Sequence, residues 1–153
     1  MHMHEVATMR PMTNVSDASV RAWIRLLRAQ RSALSSVERA LRSDGLPPLE
    51  WYDVLLELDR GGPLRPRDLQ ERLLLAQSNV SRLLDRMEAE GTIDRGRCAE
   101  DARGQLICAT AKGDALRRRM WTTYSAAIEQ AIGTKLSNAE AGKLAELLGR
   151  LEA

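Results

Sequence analysis

The residues best suited to chemistry lie in two clusters in the middle of the chain. The first is the run Gln77, Ser78, Asn79, Ser81, Arg82 and Arg86. Short polar side chains at the start of a helix can approach base edges in a major groove about 12 Å wide. There Gln and Asn match adenine, Arg matches guanine, and Ser reaches phosphate or base. The positive end of the helix dipole favours phosphate at the same place. The competing reading is a solvent face rich in capping residues. The second cluster is Arg95, Arg97 and Arg103, with Asp101 two positions before the last of these. An aspartate at that offset is expected to hold the Arg103 guanidinium in a fixed pose by a charge-assisted bond. An arginine aimed from a loop tip suits a narrow, electronegative minor groove.

Enzymatic chemistry finds little here. The only histidines are His2 and His4, near the beginning of the sequence. No Ser-His-Asp or Cys-His arrangement and no HExxH motif can be assembled from them. Neither GxGxxG nor a Walker A stretch occurs. The acids Glu88 and Glu90, or Glu100 and Asp101, have the spacing of solvated faces. We therefore expect no enzyme, no metal and no cofactor, and read the two histidines as part of a flexible arm over residues 1–14.

The elements that must position the two clusters follow from periodicity. Val20, Ile24, Leu27, Leu34, Val37 and Leu41 trace one helical stripe between Ser16 and Ser43, interrupted at Gln30 and Arg31, and Gly45 closes it. Pro47-Pro48 opens a second helix whose buried face is Trp51, Val54, Leu55 and Leu58; Gly61-Gly62-Pro63 stops it. Leu64 and Arg65 form a short extended link, and Pro66 restarts a helix carrying Leu69 and Leu73 inward. Leu74 to Gln77 is a tight connection. The next helix is expected over 77–90, with Val80, Leu83, Leu84 and Met87 inward and Gly91 as its left-handed cap. Two helices joined by such a turn are the helix-turn-helix signature.

Strand candidates at 92–98 and 105–109 flank a polar loop and form a hairpin wing. Counting outward from the loop centre sets Cys98 opposite Gln105 and Cys108 opposite Arg95. On that register the cysteines are not cross-strand partners and read as small apolar residues, with a sensor thiol as the alternative. Thr110 caps a long helix through Leu116, Met120, Tyr124, Ile128 and Ile132, and Gly133 marks a break. Ser137-Asn138-Ala139-Glu140 is a capping box that opens the last helix.

Bulk composition bounds these expectations. The chain has 153 residues, 44% hydrophobic and 29% charged, as an ordinary globular domain does. The longest aliphatic run is Leu73 to Ala76, far short of a membrane span. The first residues lack the apolar core of a secretory signal, and two cysteines are no disulfide framework, so the cytoplasm is the expected compartment. The net charge is only +2. Residues 60–103 hold nine arginines and eight acids, so DNA contact would require Asp85, Glu88 and Glu90 to face away from the recognition surface.

The order helix, helix, helix-turn-helix, wing, long helix, helix resembles the MarR family of winged-helix transcriptional regulators. The resemblance rests on residues 45–113, above all SNVSRLLDRMEAEG followed by Arg95, then Asp101-x-Arg103-Gly104, then Thr110-x-x-Gly113. Flanking helices extend it over 16–153. The fold class implied is mainly α (α+β): a winged helix-turn-helix lobe at 46–110, with a dimerisation lobe at 15–45 and 111–153. The resemblance further implies a homodimer on a pseudo-palindromic operator of double-stranded DNA, often released by a small aromatic or phenolic molecule. It sets Gln77, Ser78, Asn79, Ser81, Arg82 and Arg86 on the recognition helix, and Arg103 at the wing tip with Asp101 behind it. Ala76, Thr92 and Ala109 depart from the family's usual Ser/Thr cap, aliphatic and leucine.

The outer helices carry more leucine and isoleucine than a 65-residue winged core can cover, which independently favours a two-fold dimer. Trp23, Arg31, Tyr52, Met120 and Tyr124 are expected to converge on an effector site; ordinary core packing is the competing reading. The expected function is a DNA-binding regulator, a repressor, with a protein-binding winged-helix module as the alternative.

Overall fold

The computed structural model describes residues 14–99, 101 and 103–153. His2 and His4 lie outside them, as do most of the proposed arm and Glu100. Two compact units divide at Ser35 and Ser36. The first is helical: α1 (Asp17–Ser43) begins here, with the Ser16 hydroxyl accepting the Ser19 N–H at 3.0 Å. Its apolar residues Val20, Trp23, Ile24 and Leu27 are all exposed.

The second unit contains the end of α1, where Val37 and Leu41 are buried. It continues through α2 (Leu49–Gly61), α3 (Pro66–Arg72), α4 (Val80–Ala89), β1 (Ile93–Arg95), β2 (Ile107–Ala109), α5 (Ala111–Ile128) and α6 (Asn138–Gly149). One π-helical turn, Glu129–Gly133, extends α5 before the chain breaks. The core is Leu41 with Val54, Leu55, Leu69, Leu83, Leu84, Met87, Ile93, Ile107 and Met120, each almost or wholly inaccessible. The mainly helical winged-helix architecture expected from periodicity is present. Among the described residues no helix is long and apolar enough to cross a membrane, and no group of His, Cys, Asp and Glu is placed to hold a metal.

Local chemistry explains the junctions. Gly91 sits at φ +77°, its N–H donating to Glu88 O while Thr92 N–H donates to Met87 O. That double closure requires the left-handed conformation glycine adopts most cheaply. Thr92, polar where an aliphatic is usual, is buried at 2% exposure because its hydroxyl donates to Met87 O at 2.9 Å. The Thr110 hydroxyl accepts from Gly113 N–H and donates to Gly91 O. A Cβ on Gly113 would collide with the Thr92 carbonyl oxygen. The Thr110-x-x-Gly113 pattern thus joins the start of α5 to the wing. Leu64 exchanges both backbone hydrogen bonds with Ile107, adding a third short rung to the sheet.

Two expectations about the hairpin are corrected. The strands pair one residue out of the counted register, Ile93 with Ala109, Asp94 with Cys108 and Arg95 with Ile107. The cysteines, expected to be unpaired, form a disulfide with their Cα atoms 6.0 Å apart, inside the range such bonds require. The reason is Gly96. Its N–H donates to Leu106 O, after which its φ of +76° turns the chain out of the ladder. Cys98 therefore does not occupy a strand position. It folds back toward Asp94, the residue paired with Cys108, and strand counting beyond the turn loses its meaning.

Candidate nucleic-acid interface

The helix expected from Gln77 starts three residues later. Asn79 is the N-cap, its side-chain oxygen accepting Arg82 N–H at 3.0 Å. It supplies the cap that Ala76 cannot. Gln77 and Ser78 therefore precede the helix in the turn, which is longer than the sequence suggests. On α4 itself Ser81, Arg82 and Arg86 are exposed, opposite the buried row Val80, Leu83, Leu84 and Met87. Arg86 is drawn toward Glu50 at 3.7 Å, leaving Ser81 and Arg82 as the outward pair on the first turn.

Asp53 explains how the turn holds its shape. This carboxylate is 6% exposed on α2. Its Oδ1 accepts Leu74 N–H at 2.9 Å and its Oδ2 accepts Leu75 N–H at 2.7 Å. Two charge-assisted bonds fix the backbone that leads into α4. Sequence reasoning passed over Asp53. Its only signal was an acid on the otherwise apolar face of α2, with its partners more than twenty residues away.

Arg95 was expected to point at DNA from the ribbon, but it is engaged within the protein. Its Nη2 lies 2.5 Å from Asp85 Oδ1 and 2.8 Å from Glu88 Oε1, and its Nε also donates to Glu88. The hydrogen bonds to Asp85 and Glu88 raise the guanidinium pKa above its ordinary value, against a smaller desolvation effect. Arg95 thereby braces the wing against α4 and pairs with two of the acids that would repel phosphate.

At the wing tip Asp101 works differently from the expected clamp. Its carboxylate accepts backbone N–H groups from Arg103 (3.2 Å), Gln105 (3.1 Å) and Leu106 (2.7 Å). Desolvation acts to raise its pKa, but these donors, led by Leu106, together outweigh it and hold the carboxyl below the usual range. Asp101 shapes the loop backbone rather than the Arg103 guanidinium. Arg97 and Arg103 are exposed on either side of it. Arg65 and Arg67, which flank Pro66 and were absent from the sequence-based set, line a cleft of about 710 Å³ with Gly104 and Gln105 of the wing. Their positions become visible only once Leu64 pairs with Ile107 and draws the start of α3 to the hairpin.

A second cleft, of about 610 Å³, lies among α2, the turn after α3 and α5. Tyr52, Trp121 and Tyr124 form one aromatic cluster there, with ring centroids 5.1–6.0 Å apart. Arg60, Arg72 and the Leu73–Leu75 turn complete its wall. Burial raises the pKa of both phenols; Arg117 and Arg60 partly offset it at Tyr52, while Tyr52 and Asp53 add to it at Tyr124. Of the expected effector residues, Tyr52 and Tyr124 are brought together here. Met120 is fully buried core. Trp23 and Arg31 belong to the first unit, where both are exposed. Trp121 was missed, being one tryptophan next to a methionine already assigned to the helix face.

Comparison with known proteins agrees with this architecture. The sequence profile of the MarR family matches residues 44–104. An uncharacterised HTH-type transcriptional regulator of Bacillus cereus is 31% identical over 97 residues, 63% of each chain, so the match spans under two thirds of that relative's length. The solved structure of Sco3205, a MarR family transcriptional regulator from Streptomyces coelicolor in complex with DNA, aligns with a TM-score of 0.78 at 23% identity. It covers 94% of this chain and 90% of that one. Bordetella bronchiseptica BpsR, whose DNA binding is regulated by 6-hydroxynicotinic acid, aligns with a TM-score of 0.72 at 20% identity over 91% of this chain and 97% of that one. The winged-helix segment thus matches the MarR family profile over residues 44–104, and the chain shares its fold with solved MarR family regulators.

Proposed function

We propose that the protein is a homodimeric, sequence-specific DNA-binding transcriptional repressor whose hold on a pseudo-palindromic operator is released by an aromatic acid. The observation that carries the reading is the Asn79-capped start of α4, with Ser81 and Arg82 turned outward while Asp85 and Glu88 beside them are paired with Arg95. A helix start bearing a hydroxyl and a guanidinium suits base edges and phosphate in a major groove. Arg103, on a loop ordered by Asp101, suits the adjacent minor groove. Gln77, Ser78 and Asn79 border the same groove from the turn, and Arg65, Arg67 and Arg97 add phosphate contacts. Exposed leucines on α6 and exposed apolar residues on α1 favour a second copy. Two-fold symmetry then sets the recognition helices about 34–36 Å apart, one turn of DNA.

The aromatic cleft supports the effector half of the reading. An aromatic ring fits against Tyr52, Trp121 and Tyr124, a carboxylate fits near Arg60 and Arg72, and the two phenols keep the protons they donate. The cleft borders the turn held by Asp53, so an occupant acts on the backbone leading into α4.

Selecting bound duplexes from a random pool tests the DNA reading. The expected outcome is a two-fold symmetric sequence, bound with a log–log salt slope of about −0.9 per phosphate contact. No enrichment, or binding insensitive to salt, would instead point to a winged-helix module that contacts protein. Titrating aromatic acids into the operator complex tests the effector. Release accompanied by a change in tryptophan emission is expected; a complex that no aromatic acid perturbs would reject this part.

A further inference from the structure

The Cys98–Cys108 disulfide closes the base of the wing, and nothing in the reading above uses it. We propose that this pair is a reversible modification site, a thiol–disulfide switch that responds to low-molecular-weight thiols and disulfides and sets how well the wing is ordered for DNA. The proposal rests on the reading of the wing as a DNA contact.

A short series of contacts links the sulfurs to the tip. The disulfide fixes Cys98, whose carbonyl accepts Asp101 N–H at 3.0 Å. The Asp101 carboxylate in turn holds the N–H groups of Arg103, Gln105 and Leu106. Cys98 lies beyond Gly96, where the β1–β2 ladder has ended, so the covalent bond supplies what the ladder does not. The strands have fastenings of their own, the β1–β2 backbone pairing and the Leu64–Ile107 bridge.

Reduction leaves no buried polar group stranded at Cys98. The Sγ of Cys98 lies 3.4 Å from the carbonyl oxygen of Leu106. After reduction the Cys98 thiol donates there, so the buried sulfur keeps a polar partner. Access differs between the two sulfurs, Cys98 being buried and Cys108 half-buried. A small thiolate RS⁻ therefore attacks Cys108, forming a mixed disulfide and expelling Cys98 as a thiolate that takes up a proton. A second RS⁻ attacks the reagent's sulfur in that mixed disulfide, giving RSSR and freeing Cys108, which is protonated in its turn. The protein gains two electrons and two protons from two RSH. Oxidation by RSSR is the same sequence reversed.

The test uses the full-length protein and a duplex obtained by selection. Alkylation and mass measurement after equilibration with oxidised or reduced glutathione count the modified cysteines, zero per chain when oxidised and two when reduced. Fluorescence anisotropy on the same samples reads affinity, and reduction is expected to weaken it about three- to tenfold by disordering the loop. The double variant Cys98→Ser, Cys108→Ser should bind like the reduced protein and ignore glutathione, with circular dichroism confirming its fold. Equal affinity of fully oxidised and fully reduced wild-type protein would overturn the switch alone. Failure to alkylate at any thiol concentration would overturn its reversibility. No binding in either state would overturn the DNA reading, and the switch with it.

Discussion

The winged segment and the helices around it treat their apolar residues in opposite ways. Between Leu49 and Met120 the periodic apolar positions are closed: Val54, Leu55, Leu69, Leu83, Leu84, Met87, Ile93 and Ile107 have almost no exposure. Among the described residues of this segment the buried polar side chains are Asp53 and Thr92, and both have partners. On the first half of α1 and on α6 the same pattern of leucines and aromatics is open, with Trp23 62% and Leu147 41% exposed. The helices there are capped as carefully as elsewhere, α6 by the full Ser137–Glu140 box. Their amphipathic stripes are therefore specified but uncovered. The winged segment completes its own core, whereas the first half of α1 and α6 each leave an apolar stripe open.

The largest effect should come from breaking that division. Leu144→Asp with Leu147→Asp puts two charges on the open face of α6 and should leave the circular dichroism spectrum and core stability unchanged. Sedimentation should show monomers. Operator affinity should fall on the order of 100-fold or more, because each half-site would then bind without its tethered neighbour. Dimers persisting in this variant would move the interface elsewhere.

Within the closed region the largest effect belongs to Asp53. Asp53→Ala leaves the N–H groups of Leu74 and Leu75 without their acceptor in a partly buried turn. Loss of about 1–3 kcal/mol is expected in urea unfolding. A merely structural role would stop there. If Asp53 positions α4, operator affinity at temperatures well below melting should also fall, and Asp53→Asn, retaining one acceptor oxygen, should recover part of it.

How legible each region was follows from the range of the forces that build it. Helix ends were readable because their signals are local: Pro66 at a first turn, Gly91 in the left-handed region, Ser137 with Glu140 three residues on. The core positions of α2 and α4 were readable for the same reason, as apolar rows at helical spacing. The start of α4 was set too early because Gln77 and Ser78 are polar enough to resemble a first turn, and only the cap geometry singles out Asn79. The disulfide was missed because strand counting assumes a continuous ladder, while Gly96 ends it two residues before Cys98. Asp53 and Arg95 were missed as partners because their bonds cross between elements. Arginine on a ribbon reads as a DNA contact until the folded chain brings Asp85 and Glu88 beneath it.

The two wing arginines sharpen the comparison on a smaller scale. Arg103→Ala should weaken operator binding about three- to tenfold and lower the salt slope by about one contact, with stability unchanged. Arg95→Ala should act through α4, uncovering Asp85 and Glu88. Its affinity loss should be relieved by the further change Asp85→Asn, a rescue that Arg103→Ala would not share. Anisotropy titrations at several salt concentrations separate the two.

The smallest expected effect concerns acid. The folded-state pKa of Asp101 lies below its unfolded value of about 3.9. Such a group contributes order that is fully present above the unfolded pKa and is lost as pH falls through the folded one. Between pH 7 and 5 the wing tip should therefore not change. Below the ordinary carboxylate range, exchange of the Gln105 and Leu106 amides should quicken while amides of α4 stay protected, as followed by nuclear magnetic resonance. Asp101→Asn should abolish that acid transition and leave the tip looser at every pH. A transition surviving in this variant would belong to another titrating group, and tip amides as well protected in the variant as in the wild type would assign the ordering of the tip to the covalent closure at Cys98 and Cys108 instead of to the carboxylate.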